Sequence, residues 1–237
     1  EIIMKTWWKT FFKPITADVM FKPRMGKQTK LEVDMILKAI KKNGRLKILD
    51  LCCGEGRHSV EFAKKHNVVG LDYSKDFLKV AKSKIGKSER LKFIHGDMKL
   101  TSKYFSNESF DLAVSLFNSF GYFDKRSDDL KVLKEVNKVL KLGGIFVINT
   151  LNGSGVKTRL GDKKPTNLGY ETERNVFMLD HAYFDEKKMR TFANWTIIDA
   201  RKSKTQIFRS KFGQNVYLHS ELKSMLQKSG FKIVKTW

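Results

Sequence analysis

Cysteine is scarce in this sequence and long apolar runs are missing, and each absence limits what the chain can be. No stretch of the 237 residues approaches 18 consecutive apolar side chains, and lysines interrupt the aromatic residues of the opening segment. Neither a membrane span nor a secretory signal is therefore indicated. The two cysteines, Cys52 and Cys53, are adjacent, which makes a disulfide between them awkward and offers no ligand set for a metal. We expect a soluble, cytoplasmic protein without a bound metal.

Acidic residues are also few compared with basic ones, since 25 Asp and Glu stand against 47 Lys and Arg, for a formal net charge of +22. Such a balance is typical of proteins that bind polyanions. Most of these basic residues are lysines scattered singly along the chain, however, and a solvated surface accounts for them equally well. A nucleic-acid partner stays open as an alternative.

Short apolar runs alternate with helical patterns between Lys47 and Thr150, as in a parallel α/β sheet. The predicted strands cover residues 47–51, 68–71, 92–94, 111–115 and 145–149. Two crossover helices are predicted, one around Phe77 and one that starts with Ser127 as its N-cap and ends before Gly143. A further helix, terminated by Gly44, is predicted ahead of the first strand.

The pattern changes after Asn149. Glycines predict a loop from residue 153 to residue 169, and the segment 170–217 then alternates apolar and polar residues as antiparallel strands do. A helix over 220–229, capped by Gly230, and an apolar run at 231–234 follow. No segment supplies the seventh strand that closes such a sheet, which leaves truncation of the chain open.

These features predict an α/β fold: a Rossmann-like, doubly wound, mostly parallel sheet with helices on both faces and a small antiparallel insertion. Three parts are expected. Residues 1–46 form an N-terminal helical cap segment, and residues 47–155 and 216–237 form the Rossmann-like core. Residues 156–215 form an inserted antiparallel β subdomain that faces the acceptor, the second molecule that binds beside the cofactor.

The strongest chemical signal is "KILDLCCGEGRHS" at residues 47–59, where a buried strand ends in Asp50 and a glycine turn leads into a helix. Gly54 and Gly56 have no Cβ, so the backbone can approach a ligand, and the start of the following helix favours an anionic group. Asp50 can accept hydrogen bonds from an ammonium group. This turn suits the amino-acid part of a ligand that carries both charges.

A second acid, Asp72, ends the next strand, where a carboxylate can accept from both ribose hydroxyls. That position would suit NAD equally well. Three features favour another adenosyl ligand: the acid at Asp50, a serine at position 59 where a dinucleotide motif has Gly or Ala, and "HGDM" after the third strand. In that motif Asp97 can accept from an adenine amino group, and Met98 offers a backbone N–H and an apolar face.

The order of "ILDLCCGEGRHS", "GLDYS", "HGDM", "FDLAVSLFNSFGYF" and "VLKLGGIFVINT" resembles the class I S-adenosylmethionine-dependent methyltransferases, over about residues 31–150. The first and fourth motifs are similar to a branch of single-domain, small-molecule-type enzymes with a β insertion after the fifth strand. The resemblance implies S-adenosylmethionine as cofactor and S-adenosylhomocysteine as product. The predicted cofactor-binding residues are Asp50, Cys52, Gly54, Gly56, Asp72, Tyr73, Asp97, Met98 and Leu116. Cys52 departs from the family, which has its first glycine there.

The catalytic residues are less defined. By the resemblance, Leu116 to Asn118 lie beside the methyl group, and Asn118, Tyr122 and His58 are weak catalytic candidates. Methyl transfer depends mainly on proximity and orientation, and a base is needed only if the acceptor must lose a proton. His58 is equally explained as a hydrogen-bonded structural residue.

The aromatic N-terminal segment has two interpretations. Trp7, Trp8, Phe11 and Phe12 form either a lid over the pocket or the packing face of a helix, and Arg24 and Lys27 share that ambiguity. We expect a methyltransferase that acts on a small molecule. The alternatives are an RNA methyltransferase that uses its basic flanks, an NAD-binding oxidoreductase and a non-catalytic adenosyl-ligand module, and no oligomeric state is predicted.

Overall fold

The computed structural model describes residues 6–20, 26–83, 88–160 and 165–236, and the chain divides into two compact units. The parallel-sheet unit comprises Arg24–Phe120, Ser127–Thr150 and Met225–Trp237. The antiparallel-sheet unit comprises Glu1–Pro23, Gly121–Arg126 and Leu151–Ser224.

The parallel-sheet unit is built on five strands in the order β3-β2-β1-β4-β5, and all four neighbouring pairs are parallel. The strands are β1 (Lys47–Leu51), β2 (Asn67–Asp72), β3 (Leu91–His95), β4 (Phe110–Ser115) and β5 (Leu140–Ile148). Strand order reverses between β1 and β4, and the crevice beside the carboxyl ends of the strands at such a point is where open α/β sheets bind ligands. The predicted fold class is confirmed, and the first four strands match their predicted ranges to within one residue.

Helices of this unit are α3 (Lys27–Ile40), α4 (Arg57–Ala63), α5 (Lys75–Ser83), α6 (Thr101–Tyr104) and α7 (Arg126–Val139), whose first residue belongs to the other unit. Helix α3 therefore lies in the same unit as the parallel sheet. It ends at Ile40, and Lys41 takes the left-handed conformation with φ 50°. The prediction that Gly44 terminates this helix is therefore wrong.

The connection from α7 to β5 also corrects the sequence prediction. Helix α7 begins at Arg126, so Ser127 lies inside its first turn and is not its N-cap. The helix passes into β5 at Leu140, and Gly143 lies within that strand. The pairing of β4 with β5 shifts register between Phe110 and Leu112, and Gly143, with φ 71°, takes up the irregularity. A glycine pair here marks a bulged strand rather than a helix end.

The last helix, α9 (His219–Lys228), is followed by Gly230 with φ 89°, as predicted. Phe231–Thr236 has no regular structure, so the final apolar run forms no strand. The ring of Phe231 packs against Phe146 of β5, with 5.6 Å between centroids. This packing explains the apolar residue at the start of the run.

The antiparallel-sheet unit contains four strands in the order β6-β7-β8-β9. These are β6 (Thr166–Glu173), β7 (Val176–Asp185), β8 (Arg190–Asp199) and β9 (Gln206–Asn215). One face of the sheet carries Val176, Met178 and Ile197, which are buried together with Val19 of α2 (Pro14–Met20). The predicted insertion of antiparallel strands is confirmed. The loop predicted from residue 153 is instead partly helical, as α8 (Gly153–Leu160).

The N-terminal aromatic residues are packing residues of this second unit. Trp7 and Phe11, the latter in α1 (Trp8–Phe11), are each 2% exposed. The ring of Trp7 lies 5.0 Å from that of Tyr122 and 5.3 Å from that of Phe212. Lys27 is exposed at the start of α3, and Arg24 lies outside the described residues. Among the helices described, none is both long and apolar enough to cross a bilayer.

Candidate functional site

Asp50 lies near the end of β1, just before the turn that leads into α4. It lies within the buried end of β1 at 2% exposure, because the parallel strands β2 and β4 flank β1 on both sides. The hydroxyl of Ser59 in α4 donates to its Oδ2 over 2.5 Å. Burial raises the pKa of Asp50 to about 7, although the Ser59 hydrogen bond lowers it, and the nearby charge of Asp72 adds to the rise. No described lysine or arginine forms an ion pair with this carboxylate, which suits it to a cationic ligand group.

Asp72 organises the same turn from the end of β2. Its Oδ2 accepts a hydrogen bond of 2.8 Å from the backbone N–H of Gly54, and its Oδ1 accepts one of 2.8 Å from the N–H of Ser74. Burial raises the pKa of Asp72, and these two backbone bonds oppose the rise. The carboxylate therefore ties the glycine turn after β1 to the end of β2.

Asp97 follows β3 and caps the short 3-10 helix Met98–Leu100 through its Oδ1, which accepts from the N–H of Lys99 at 2.8 Å. The sulfur of Met98 lies 3.4 Å from Sγ of Cys52 in the β1–α4 turn. Cys52 itself is left-handed, with φ 59°, a conformation that costs free energy in a residue with a Cβ.

The charges of all three strand-end acids act on the thiol of Cys52. Its thiol pKa lies well above the usual value because of burial first, and then because of the negative charges of Asp72, Asp50 and Asp97. All three carboxylates are thus close enough to one side chain to act on it. The structure brings the three predicted strand-end acids to one neighbourhood, which is what a single ligand in contact with all of them requires.

Gly56 has a packing role in addition to the one that the motif suggests. A Cβ at this position would lie 2.5 Å from Cζ of Phe93, and φ is 74°. Its N–H already donates to the carbonyl of Cys53 at 2.9 Å. Glycine is therefore needed at position 56 so that α4 can start against β3. Its predicted contact with a cofactor remains untested.

Close packing of this kind also explains two glycines that the sequence left unassigned. Cβ atoms at Gly70 and Gly96 would lie 2.5 Å from Phe93 and 2.7 Å from Leu71, respectively. Tyr73, also a predicted cofactor residue, places its ring 5.6 Å from that of His95. No spacing rule links these positions, so only the folded chain shows their contacts.

The loop after β4 carries the predicted methyl-proximal residues. Leu116 packs against the core of the parallel-sheet unit, and the next two residues, Phe117 and Asn118, are both left-handed at φ 59°. The N–H of Asn118 donates to Oδ1 of Asn149 over 3.3 Å. Consecutive non-glycine residues in this conformation are strained, and such strain persists where neighbours hold it in place.

His58, a weak catalytic candidate, is buried, and its Nε2 lies 2.7 Å from Oε2 of Glu32 in α3. Burial and the adjacent Arg57 lower its pKa to about 4, against the opposing effect of Glu32. The ring is therefore neutral at pH 7 and hydrogen-bonded to α3. Tyr122, another candidate, belongs to the antiparallel-sheet unit, where its ring contacts those of Trp7 and Phe12.

Comparison with known proteins finds a match between residues 48–144 and the family described as "Methyltransferase domain". Demethylmenaquinone methyltransferase of Staphylococcus aureus (strain MRSA252) is 37% identical over 107 residues, which are 43% of this chain and 42% of that protein. The chain thus matches less than half of that relative's length.

Among solved structures, the CcbJ methyltransferase from Streptomyces caelestis aligns with a TM-score of 0.78 at 17% identity, over 96% of this chain and 89% of that one. CalS10, an amino pentose methyltransferase from Micromonospora echinaspora that was solved with S-adenosylmethionine bound, aligns with a TM-score of 0.63 at 17% identity, over 86% and 84% of the two chains. At this identity the likeness shows a shared fold.

Proposed function

We propose that this chain is a class I S-adenosylmethionine-dependent methyltransferase, and that it transfers a methyl group from S-adenosylmethionine to a nucleophilic atom of a small molecule. The observation that carries the proposal is the set of contacts that ties the three strand-end acids to the β1–α4 turn. Asp72 accepts from the N–H of Gly54, Asp50 accepts from the hydroxyl of Ser59, and Met98, next to Asp97, lies 3.4 Å from Cys52. The family match supports the reaction type.

The residues at this edge suit the chemistry of the cofactor. Asp50 is a buried carboxylate that forms no ion pair with a described lysine or arginine, although the charge of Arg57 lowers its pKa. An ammonium group would supply a directly paired cation. Each oxygen of Asp72 accepts one backbone N–H and retains capacity for a hydroxyl donor, as on a ribose. Asp97 uses Oδ1 for its cap, which leaves Oδ2 for an adenine amino group. Met98 is buried next to it and offers an apolar contact.

When bound, the sulfonium supplies a methyl group that is already activated toward displacement. The chain's residues then need to hold, orient and desolvate the reactants, and little covalent help is required. Asn118 and Tyr122 remain proposals for acceptor contact. His58, with a pKa of about 4, is a weak base at neutral pH and is proposed to support the turn instead.

A small-molecule acceptor is favoured because the amino pentose methyltransferase CalS10 shares the fold. We assign acceptor choice to residues outside the proposed cofactor set. An RNA acceptor is a second candidate, favoured by the net charge of +22. The two differ in salt dependence: RNA binding weakens steeply between 50 and 200 mM salt, whereas binding of a small molecule changes little.

Calorimetric titration with S-adenosylmethionine, S-adenosylhomocysteine and NAD tests the proposal directly. Asp72→Ala should weaken S-adenosylhomocysteine binding by about 1.5 to 3 kcal/mol, because a hydrogen bond to a charged group is lost. Asp111→Ala is the matched control, since that carboxylate lies near the start of β4 and pairs with Lys141. Tight NAD binding, or equal affinity of the two variants, would overturn the proposal. A methyl-labelled donor offered to metabolite and RNA pools then identifies the acceptor.

A further inference from the structure

Glu32 of α3 joins an extra helix to the turn that follows β1. Its Oε2 accepts from NH1 of Arg57 at 2.9 Å and lies 2.7 Å from Nε2 of His58. Its Oε1 accepts from Gln28 at 3.3 Å. Arg57 and His58 are the first two residues of α4, directly after the Gly54–Gly56 turn. The carboxylate of Glu32 thus holds the first residues of α4, the helix that begins where the Gly54–Gly56 turn ends.

Arg57 extends this connection to the loop after β4. Its side chain is only 9% exposed, its NH1 also donates to Thr29 of α3 at 3.0 Å, and its guanidinium lies 5.2 Å from the ring centroid of Phe117. A cation over an aromatic face is attracted to it, and the attraction strengthens as water is removed. Arg57 is therefore fixed on one side by Glu32 and Thr29 and on the other by Phe117.

Phe117 is a residue that needs such support. It and Asn118 are left-handed at φ 59°, and this backbone costs free energy that surrounding contacts must offset. Contacts that restrain the loop include the Arg57–Phe117 cation–π contact, the Asn118–Asn149 hydrogen bond and the bond from the Ser119 hydroxyl to the Leu116 carbonyl. Loss of the Arg57 contact should therefore loosen a backbone that is already strained.

Charge balance strengthens the argument for Glu32. Burial alone would raise its pKa, but the hydrogen bond with His58 and the charge of Arg57 lower it overall. Glu32 is thus ionised at neutral pH and neutralises a nearly buried guanidinium. A buried charge that loses its partner is strongly unfavourable, so Arg57 should move toward water if Glu32 becomes neutral.

We propose that Glu32 is a positioning residue which, through Arg57 and Phe117, holds the loop 116–119 in the strained conformation used by the bound cofactor. The role in cofactor binding rests on the proposed function, whereas the mechanical link from α3 to the loop does not. Glu32 itself touches neither reactant in this scheme.

The first experiment measures hydrogen–deuterium exchange in residues 116–119 without any ligand. Glu32→Gln and Glu32→Ala should speed exchange at the Asn118 amide by about tenfold, the factor expected for the loss of a charge-assisted bond. Asp34→Asn is the matched control: it removes an acid from the same helix, but one that is exposed and paired with Lys30. Exchange in the loop that is unchanged in both Glu32 variants would overturn the proposal.

The second experiment is a double-mutant cycle on S-adenosylhomocysteine affinity with Glu32→Gln and Phe117→Leu. If Glu32 acts through Phe117, each single variant binds about tenfold more weakly and the double variant is little worse than either. If the loss of affinity in the double variant equals the product of the two single losses, the two residues act independently, and the proposed link is overturned. If the unmodified protein binds no S-adenosylhomocysteine, the proposed function fails, and the exchange experiment still decides the role of Glu32.

Discussion

The hydroxyl of Ser59 donates a 2.5 Å hydrogen bond to Oδ2 of Asp50, across the turn that joins β1 to α4. This bond is the main interaction that favours the ionised form of a carboxyl whose pKa burial raises to about 7. The protonation of Asp50 is therefore expected to change in the neutral pH range before any ligand binds. Several properties of the protein should follow the protonation of this one group.

Cofactor affinity should depend on pH through Asp50. An ammonium group binds the ionised carboxylate, so protonation of Asp50 below pH 7 competes with binding, and affinity should fall by about tenfold per pH unit. Titration calorimetry with S-adenosylhomocysteine between pH 5.5 and 7.5 measures this. His58, with a pKa of about 4, does not titrate in that interval. In Asp50→Asn, binding should be weak and flat; a flat profile in the unmodified protein would contradict the assignment.

Asp50→Asn should also stabilise the ligand-free protein above pH 7. The pKa of Asp50 is higher in the folded chain than in the unfolded chain, so ionisation opposes folding. This cost to folding begins above pH 3.8, the ordinary pKa of an aspartate, and grows as the pH rises. It is complete above a pH of about 7, the pKa of Asp50 in the folded chain. The variant removes the cost, and its gain at pH 8 should be on the order of 4 kcal/mol, the free-energy equivalent of raising the pKa from 3.8 to about 7. Urea unfolding at pH 8 and pH 4 measures it.

Ser59→Ala serves as the counterpart of that variant. It removes the hydrogen bond to Asp50 and should lower stability at pH 8 by about 1 to 2 kcal/mol. If Asp50→Asn destabilises the protein at pH 8 as much as at pH 4, the raised pKa is not the cause.

Gly56→Ala should be strongly destabilising, by about 2 to 4 kcal/mol, because its Cβ would lie 2.5 Å from Phe93 at a φ of 74°. Gly143→Ala is the matched control: φ is 71° and no atom lies within 4 Å of its Cβ, so the loss there should be about 1 kcal/mol. Thermal unfolding compares the two. Phe93→Leu should restore part of the stability lost in Gly56→Ala, and equal losses at the two glycines would disprove steric conflict.

Both cysteines should resist alkylation in the folded protein. Burial, followed by the charge of Asp72, raises the pKa of each thiol well above its usual range, and the thiolate is the reactive form. Iodoacetamide at pH 8 should label the native chain roughly a hundredfold more slowly than the urea-unfolded chain. Mass spectrometry counts the labelled thiols. Rapid labelling of the partly exposed Cys52 in the native protein would contradict its raised thiol pKa.

The sequence was a good guide to the parallel sheet because β1 to β4 are short buried runs bounded by turns. It was poorer at β5, where a glycine pair looked like a helix end and proved to lie in a bulged strand. A local sequence pattern predicts only local geometry. The register shift could not be predicted from it because the shift arises from the pairing of β5 with β4. The helix α8 was missed for a related reason, since Gly153 and Gly155 suggested a loop.

For the candidate site, the three acids could be found because each follows a strand, and parallel strands end at a common edge. Their convergence on Cys52 agrees with that reasoning. The partners that set their properties could not be found. Ser59 was noticed only because it departs from a dinucleotide motif, and Glu32 lies 26 residues before His58, too far for any spacing rule to connect them.

The amino-acid sequence by itself determined which strands form, which acids end them and which superfamily the order of motifs indicates, because these depend on neighbours along the chain. The tertiary structure alone decided that Gly56 serves packing against Phe93, that Asp50 titrates near neutrality and that Glu32 reaches Arg57. Each of these depends on burial and on contacts between distant segments, and those come into existence only when the sheet and its helices close around the turn.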